Sequence, residues 1–170
     1  HFVEARGTVA KVSVAEDYVA RISAEYRNTV PLSVVWDVAN GAAGDVVCRL
    51  VDCLPGKHTV LNGQIDGTFP SHHPDPTVAE NLDQLISEVV AHSYDVGIGF
   101  DGDGDRIGVV DNTGAIIWGD QLLTLYAIDL LKETPGSTII ADVKTSRVFF
   151  DTVTAHGGNP VMWRTGHSPI

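Results

Sequence analysis

Positive charge is scarce in this sequence: 11 Lys and Arg stand against 22 Asp and Glu, a formal net charge of −11. A surface of that sign repels nucleic-acid phosphate and anionic lipid, and no local Lys/Arg cluster offsets it, so neither nucleic acid nor a membrane is expected as a partner. No apolar run approaches the ~20 residues needed to span a bilayer. No signal-peptide pattern opens the chain either, and a soluble, cytoplasmic protein is expected. Cysteine is nearly absent. Cys48 and Cys53 fall on one expected helix, five positions apart and pointing in different directions, which suits neither a zinc pair nor a disulfide. Both are expected to be reduced and mostly buried. What the chain does have is 44% apolar residues over 170 positions, enough for one packed α/β domain and part of another.

The elements alternate. Residues 14–26 read as a helix with Tyr18, Val19, Ile22 and Tyr26 on one face. Leu32 to Trp36 is a β-rich apolar run. Gly41-Ala42-Ala43-Gly44 opens a helix whose stripe is Val47, Leu50, Val51 and Leu54. A loop rich in Gly, Pro, Asp and His covers 62–76. Val78, Leu82, Leu85, Ile86, Val89 and Val90 then fit helical spacing. Strands follow over 95–100 and 107–110, with a hairpin-like turn at 111–114 leading to 115–118. The pattern restarts with a helix over 121–131, a strand over 138–141, a helix over 146–155 and a strand over 160–163. Alternation of this kind predicts an α/β fold, a mixed, mostly parallel sheet with helices on both faces. The chemically loaded residues (37–41, 101–106, 142–147 and 164–168) each follow a strand, where open α/β sheets bind ligands.

The strongest local signal is Asp101-Gly102-Asp103-Gly104-Asp105-Arg106. Three carboxylates this close repel one another and call for a compensating cation, while the intervening glycines let the backbone curl so that they converge. Hard oxygen donors suit Mg²⁺, with coordination positions left for water or a phosphate oxygen. A calcium loop of the EF-hand type is excluded, because its sixth position would be Arg106 instead of glycine and its twelfth Asn112 instead of glutamate.

The same six residues resemble the magnesium loop of the α-D-phosphohexomutase family, which includes phosphoglucomutases and phosphomannomutases. His72-His73-Pro74-Asp75-Pro76 followed by Glu80-Asn81-Leu82 resembles the segment before that loop. Asp37 with Asn40-Gly41-Ala42-Ala43-Gly44 resembles an earlier strand-to-helix turn. Asp142-Val143-Lys144 with Arg147, and Thr165-Gly166-His167-Ser168, resemble the family's third domain. Glycine at Gly104 is similar to the phosphoglucomutase/phosphomannomutase branch, where phosphoglucosamine mutases usually place alanine. The motifs run in family order from about residue 8 to the end.

The resemblance implies a leading segment over 1–7, one complete domain over 8–114 with the metal loop, and part of a similar domain over 115–170. It implies an enzyme that interconverts hexose 1-phosphate and hexose 6-phosphate, of glucose or mannose, through a phosphoserine and a bisphosphorylated sugar. Asp101, Asp103 and Asp105 would hold Mg²⁺. Arg106, Lys144 and His167 would be catalytic, the last as a general acid or base. Thr165, Gly166 and Arg147 would bind substrate, although a helix-surface ion pair explains Arg147 equally well. His72 and His73 read as a rigid turn packed near the acidic loop. The partners implied are hexose phosphate, hexose bisphosphate and the missing domains of the same enzyme. Without a phosphoserine loop the chain alone is expected to be inactive. The alternative is a divalent-cation-binding module without catalysis.

Overall fold

A computed structural model describes residues 7–27, 30–166 and 168. Its first unit begins with α1 (Ala15–Ser23), β1 (Leu32–Asp37), α2 (Gly44–Val51) and β2 (Gly56–Leu61). A long loop and a 3₁₀ turn (Ala79–Leu82) lead to α3 (Asp83–Ala91), β3 (Val96–Phe100), β4 (Ile107–Asp111) and the short β5 (Ile116–Ile117). These strands form one sheet in the order β2-β1-β3-β4-β5. Within it β1 runs parallel to both β2 and β3, whereas β3–β4 and β4–β5 are antiparallel. The path from β1 to β2 moves one way along the sheet and that from β2 to β3 moves back past β1. Connections of one hand therefore put α2 and α3 on opposite faces.

Packing follows the strand alternation. Val35 and Val110 meet Leu82, Leu85, Val89 and Tyr94 in a fully buried cluster, each large aliphatic side chain contributing about 1.5–3 kcal/mol of burial. α3 sits close because β3 offers no side chain beneath it. A Cβ on Gly97 would come within 2.8 Å of Val89 and 2.9 Å of Leu85, and one on Gly99 within 2.9 Å of Leu82.

A second unit contains α4 (Gly119–Glu133), β6 (Thr138–Asp142), α5 (Arg147–Ala155) and β7 (Asn159–Trp163). β6 and β7 pair in parallel, Ile139 with Pro160 and Asp142 with Trp163. Its core is Ala127, Leu131, Ile139, Ala141, Phe149 and Val153. Ser146 caps α5, its hydroxyl accepting the Val148 N–H at 3.3 Å. No helix among the described residues is long and apolar enough to cross a membrane.

Several expectations need correction. β2 falls where no strand was expected, and it is a sheet edge whose residues 56–57 are exposed and 58–61 only half-buried. Both cysteines are free and exposed rather than buried, because α2 buries Gly44 and Val47 and ends before Cys53. Leu54 likewise lies beyond α2. Val78 precedes the 3₁₀ turn, and both Val78 and Val90 are exposed, so the buried stripe narrows to Leu82, Leu85 and Val89. α1 is shorter than expected and buries Val19 alone, leaving Tyr18 and Tyr26 at the surface.

Candidate functional site

The acidic loop is the tip of the β3–β4 hairpin, closed by the Asp101 N–H donating to the Arg106 carbonyl at 3.2 Å. Asp101 is 1% exposed, and its carboxylate organises the loop from inside. One oxygen accepts the Gly104 N–H at 3.0 Å and the Arg106 N–H at 3.1 Å; the other accepts Arg106 Nε at 2.7 Å. Gly104 makes the turn at φ 79°, a left-handed conformation that side chains disfavour. Asp103 and Asp105 are exposed, and one oxygen from each of the three carboxylates lies within 4.8 Å of the others.

The electrostatics follow from this crowding. Burial pushes the Asp101 carboxyl up, but hydrogen bonds from Arg106, joined by that from Asp105 and by the Arg106 charge, together hold the group below the usual carboxylate range. Asp105 is pushed upward, first by its contact with the Asp101 carboxyl and then by the charge of Asp103. Asp101 in turn raises Arg106 through their hydrogen bond. Three carboxylates within 4.8 Å of one another, with Asp105 shifted upward by its neighbours, are short of positive charge. Their donors are all hard oxygens, so the set fits a divalent cation such as Mg²⁺.

Two segments cradle the loop. The β1–α2 turn donates Ala42 N–H to the Gly102 carbonyl at 2.9 Å. It comes so close that a Cβ on Gly41 would lie 2.8 Å from that oxygen. From the other side, Asp75 Oδ1 lies 3.5 Å from Arg106 Nη1. Buried Asp37 joins the two. Its Oδ1 accepts Ala39 N–H at 3.0 Å and Asn62 Nδ2 at 2.9 Å, and its Oδ2 faces His72 Nε2 at 2.9 Å. His72 and His73 do belong to a turn beside the acidic loop, yet the Asp37–His72 pair had no sequence signal, since its members are 35 residues apart. The one available hint was an aspartate ending an apolar strand.

The second unit brings Lys144 alongside. A cleft of about 660 Å³ is lined by Thr77, Ile107 and Gly108 on one side and by Asp120, Lys144 and Thr145 on the other. Ile107 and Gly108 directly follow Arg106 in the chain, so one wall of this cleft continues into the acidic loop. Asp142 shapes its far wall, accepting Lys144 N–H at 2.8 Å and the Thr165 hydroxyl at 3.0 Å. These bonds, led by that from Lys144 N–H, hold Asp142 below the usual carboxylate range. Asp120, in the first turn of α4, accepts Ser146 N–H at 3.1 Å and so ties α4 to the start of α5. Gly166 follows Thr165 at φ 128°. Arg147 extends along α5 with Nε 3.5 Å from Asp151 Oδ2, the surface ion pair the sequence allowed. His167 lies outside the described residues.

Residues 16–114 match the family model described as phosphoglucomutase/phosphomannomutase, alpha/beta/alpha domain II, and residues 118–170 match that of domain III. A phosphomannomutase/phosphoglucomutase of Pseudomonas aeruginosa is 45% identical over 96% of this chain and 35% of its own length. A phosphoglucomutase of Neisseria meningitidis serogroup B is 39% identical over 97% of this chain and 36% of its own length. Among solved structures, a phosphoglucomutase/phosphomannomutase family protein of Burkholderia thailandensis superposes with a TM-score of 0.87 at 46% identity, covering 92% of this chain and 34% of that one. The chain thus spans about a third of the length of the relatives it matches. With two successive family domains matched end to end and the fold superposing on a solved relative, the chain belongs to the phosphoglucomutase/phosphomannomutase family.

Proposed function

We propose that this chain is the cation-holding part of an intramolecular phosphotransferase that interconverts hexose 1-phosphate and hexose 6-phosphate, with glucose or mannose as the sugar. The observation that carries the reading is the convergence of the Asp101, Asp103 and Asp105 carboxylates on a loop that runs directly into Ile107 and Gly108, which line a cleft together with Lys144. Mg²⁺, when bound there, supplies positive charge to a phosphoryl oxygen.

Phosphoryl transfer asks the protein mainly for positioning and charge. Asp101 fixes the loop and aims Arg106, whose side chain stays 54% exposed. The planar guanidinium can meet phosphate oxygens in pairs. Lys144, on the opposite wall, adds a second cation. Thr165, anchored on Asp142, and Gly166 start the segment that carries His167, which we assign to substrate contact and proton transfer. Arg147 joins the substrate only by leaving Asp151.

The phosphoserine donor and the remaining substrate contacts belong to parts of the enzyme outside this chain, and the intermediate is a bisphosphorylated hexose. Two free thiols and the strongly acidic composition suit the cytoplasm. The test is interconversion of the 1- and 6-phosphates of glucose and of mannose by the full-length protein carrying this chain, with Mg²⁺ and a hexose bisphosphate. Activity that disappears in Asp103→Asn and in the isolated chain supports the reading. A full-length protein inert on both sugars overturns it.

A further inference from the structure

We infer that His72 is a positioning residue for the acidic loop, clamping the two segments that cradle it. This rests on reading the loop as the cation site.

The His72 side chain is 18% exposed and is spent entirely on two acceptors: Nε2 faces Asp37 Oδ2 at 2.9 Å and Nδ1 faces the His73 carbonyl at 3.0 Å. Both ring nitrogens are therefore engaged. Neither nitrogen is left for a metal or a substrate. What the contacts do is mechanical. Through Asp37 they tie the segment 72–75 to the β1–α2 turn, because the other oxygen of the same carboxylate holds Ala39 N–H. Both tied segments press on one spot of the acidic loop. The β1–α2 turn reaches it with Gly41 and Ala42. The segment 72–75 reaches it with Pro74, whose Cγ would lie 3.4 Å from a Cβ on Gly102, and with Asp75, which faces Arg106. The buried Pro74 between His72 and Asp75 is rigid, so displacing the ring carries over to the Asp75–Arg106 contact and to the backbone under Asp103.

The amide in Asp37→Asn preserves the clamp by other means. Its oxygen keeps the Ala39 and Asn62 bonds, and its NH₂ donates to the Nε2 of a neutral ring whose Nδ1–H still reaches the His73 carbonyl. His72→Phe removes both bonds, whereas His72→Gln offers a donor to Asp37 and leaves the carbonyl unserved.

The experiment is titration of the chain with Mn²⁺ alone, free ion counted by electron paramagnetic resonance, with the thermal midpoint of each variant recorded alongside. Asp103→Asn reports on the loop itself, and Val35→Ala is a core-loosened control. Partners that orient a metal site from outside its ligands change affinity by about tenfold or more. The expected result is a loss of about that size in His72→Phe, a smaller loss in His72→Gln, and near-native affinity in Asp37→Asn and Val35→Ala. Should His72→Phe be recovered unfolded, His72→Gln decides. Native Mn²⁺ affinity in the His72 variants, with Asp103→Asn weakened, overturns the role of His72 alone. An equal loss in Val35→Ala also overturns it, since general loosening would then suffice. Affinity unchanged by Asp103→Asn overturns the reading of the loop on which the inference rests.

Discussion

Arg106 reaches back to the aspartate that opens its own loop, its Nε donating to the buried Oδ2 of Asp101 at 2.7 Å while its Nη1 lies 3.5 Å from Asp75. One guanidinium therefore neutralises the single buried carboxylate of the acidic trio and braces the loop against the preceding segment. Its Nε also lies 3.7 Å from Asp105 Oδ1, so Asp103 is the member of the trio that this guanidinium does not face.

Arg106→Lys is expected to fail as a conservative change. An ammonium can match the charge but cannot divide a planar fork between Asp101 and Asp75. Leaving the buried Asp101 with a weakened partner is expected to cost about 1–3 kcal/mol, read as a lower urea midpoint with an unchanged denaturant slope.

Gly97→Ala tests the close seating of α3. The added methyl would stand 2.8 Å from Val89 and 2.9 Å from Leu85, both packed in the core. Overpacking of this kind costs about 1–3 kcal/mol. Unfolding should shift to lower denaturant while cation binding by the folded protein stays native, because the strain falls on the middle of β3, away from its acidic end.

Ser146→Ala removes the cap of α5 and is expected to cost about 1 kcal/mol in chemical denaturation. The same serine's N–H is held by Asp120, so the start of the helix should keep its place beside Lys144.

Acid should weaken the fold partly through Asp111. Its Oδ1 accepts the Thr113 hydroxyl and the N–H groups of Thr113 and Ala115, and these bonds, led by that from the Thr113 hydroxyl, hold the carboxyl below its ordinary value of 3.8. A depressed folded-state value means stabilisation that is present above the unfolded value and lost as pH falls through the folded one. Asp111→Asn keeps the accepting oxygen but cannot titrate. The loss of urea midpoint between about pH 6 and about pH 3 should be smaller in the variant than in the native chain. An equal loss would remove Asp111 from the acid response.

What could be read from sequence divides by range. The acidic loop was legible because alternating Asp and Gly is a local pattern whose charge repulsion has a direct physical meaning. β1, β3, β4 and β6 were legible as apolar runs, and α3 as a helical stripe. β2 was not, since an edge strand built of Gly56, Lys57, His58 and Thr59 has neither an apolar run nor a clean alternation; pairing with β1 creates it. The cysteines misled because residue type alone favours burial, whereas the position of Cys48 on α2 and of Cys53 beyond its end decides exposure. Asp37 and His72 lie on different segments, and only the closed fold brings them within hydrogen-bonding distance.

The most direct test of the central claim is calorimetric titration of the chain with Mg²⁺, native beside Asp103→Asn. Asp103 is exposed and makes no contact that shapes the loop in the way Asp101 does, so its substitution should leave the thermal midpoint in place. One binding event is expected in the native chain, weakened about tenfold or more in the variant at an unchanged midpoint. Equal Mg²⁺ affinity in the two proteins would contradict it.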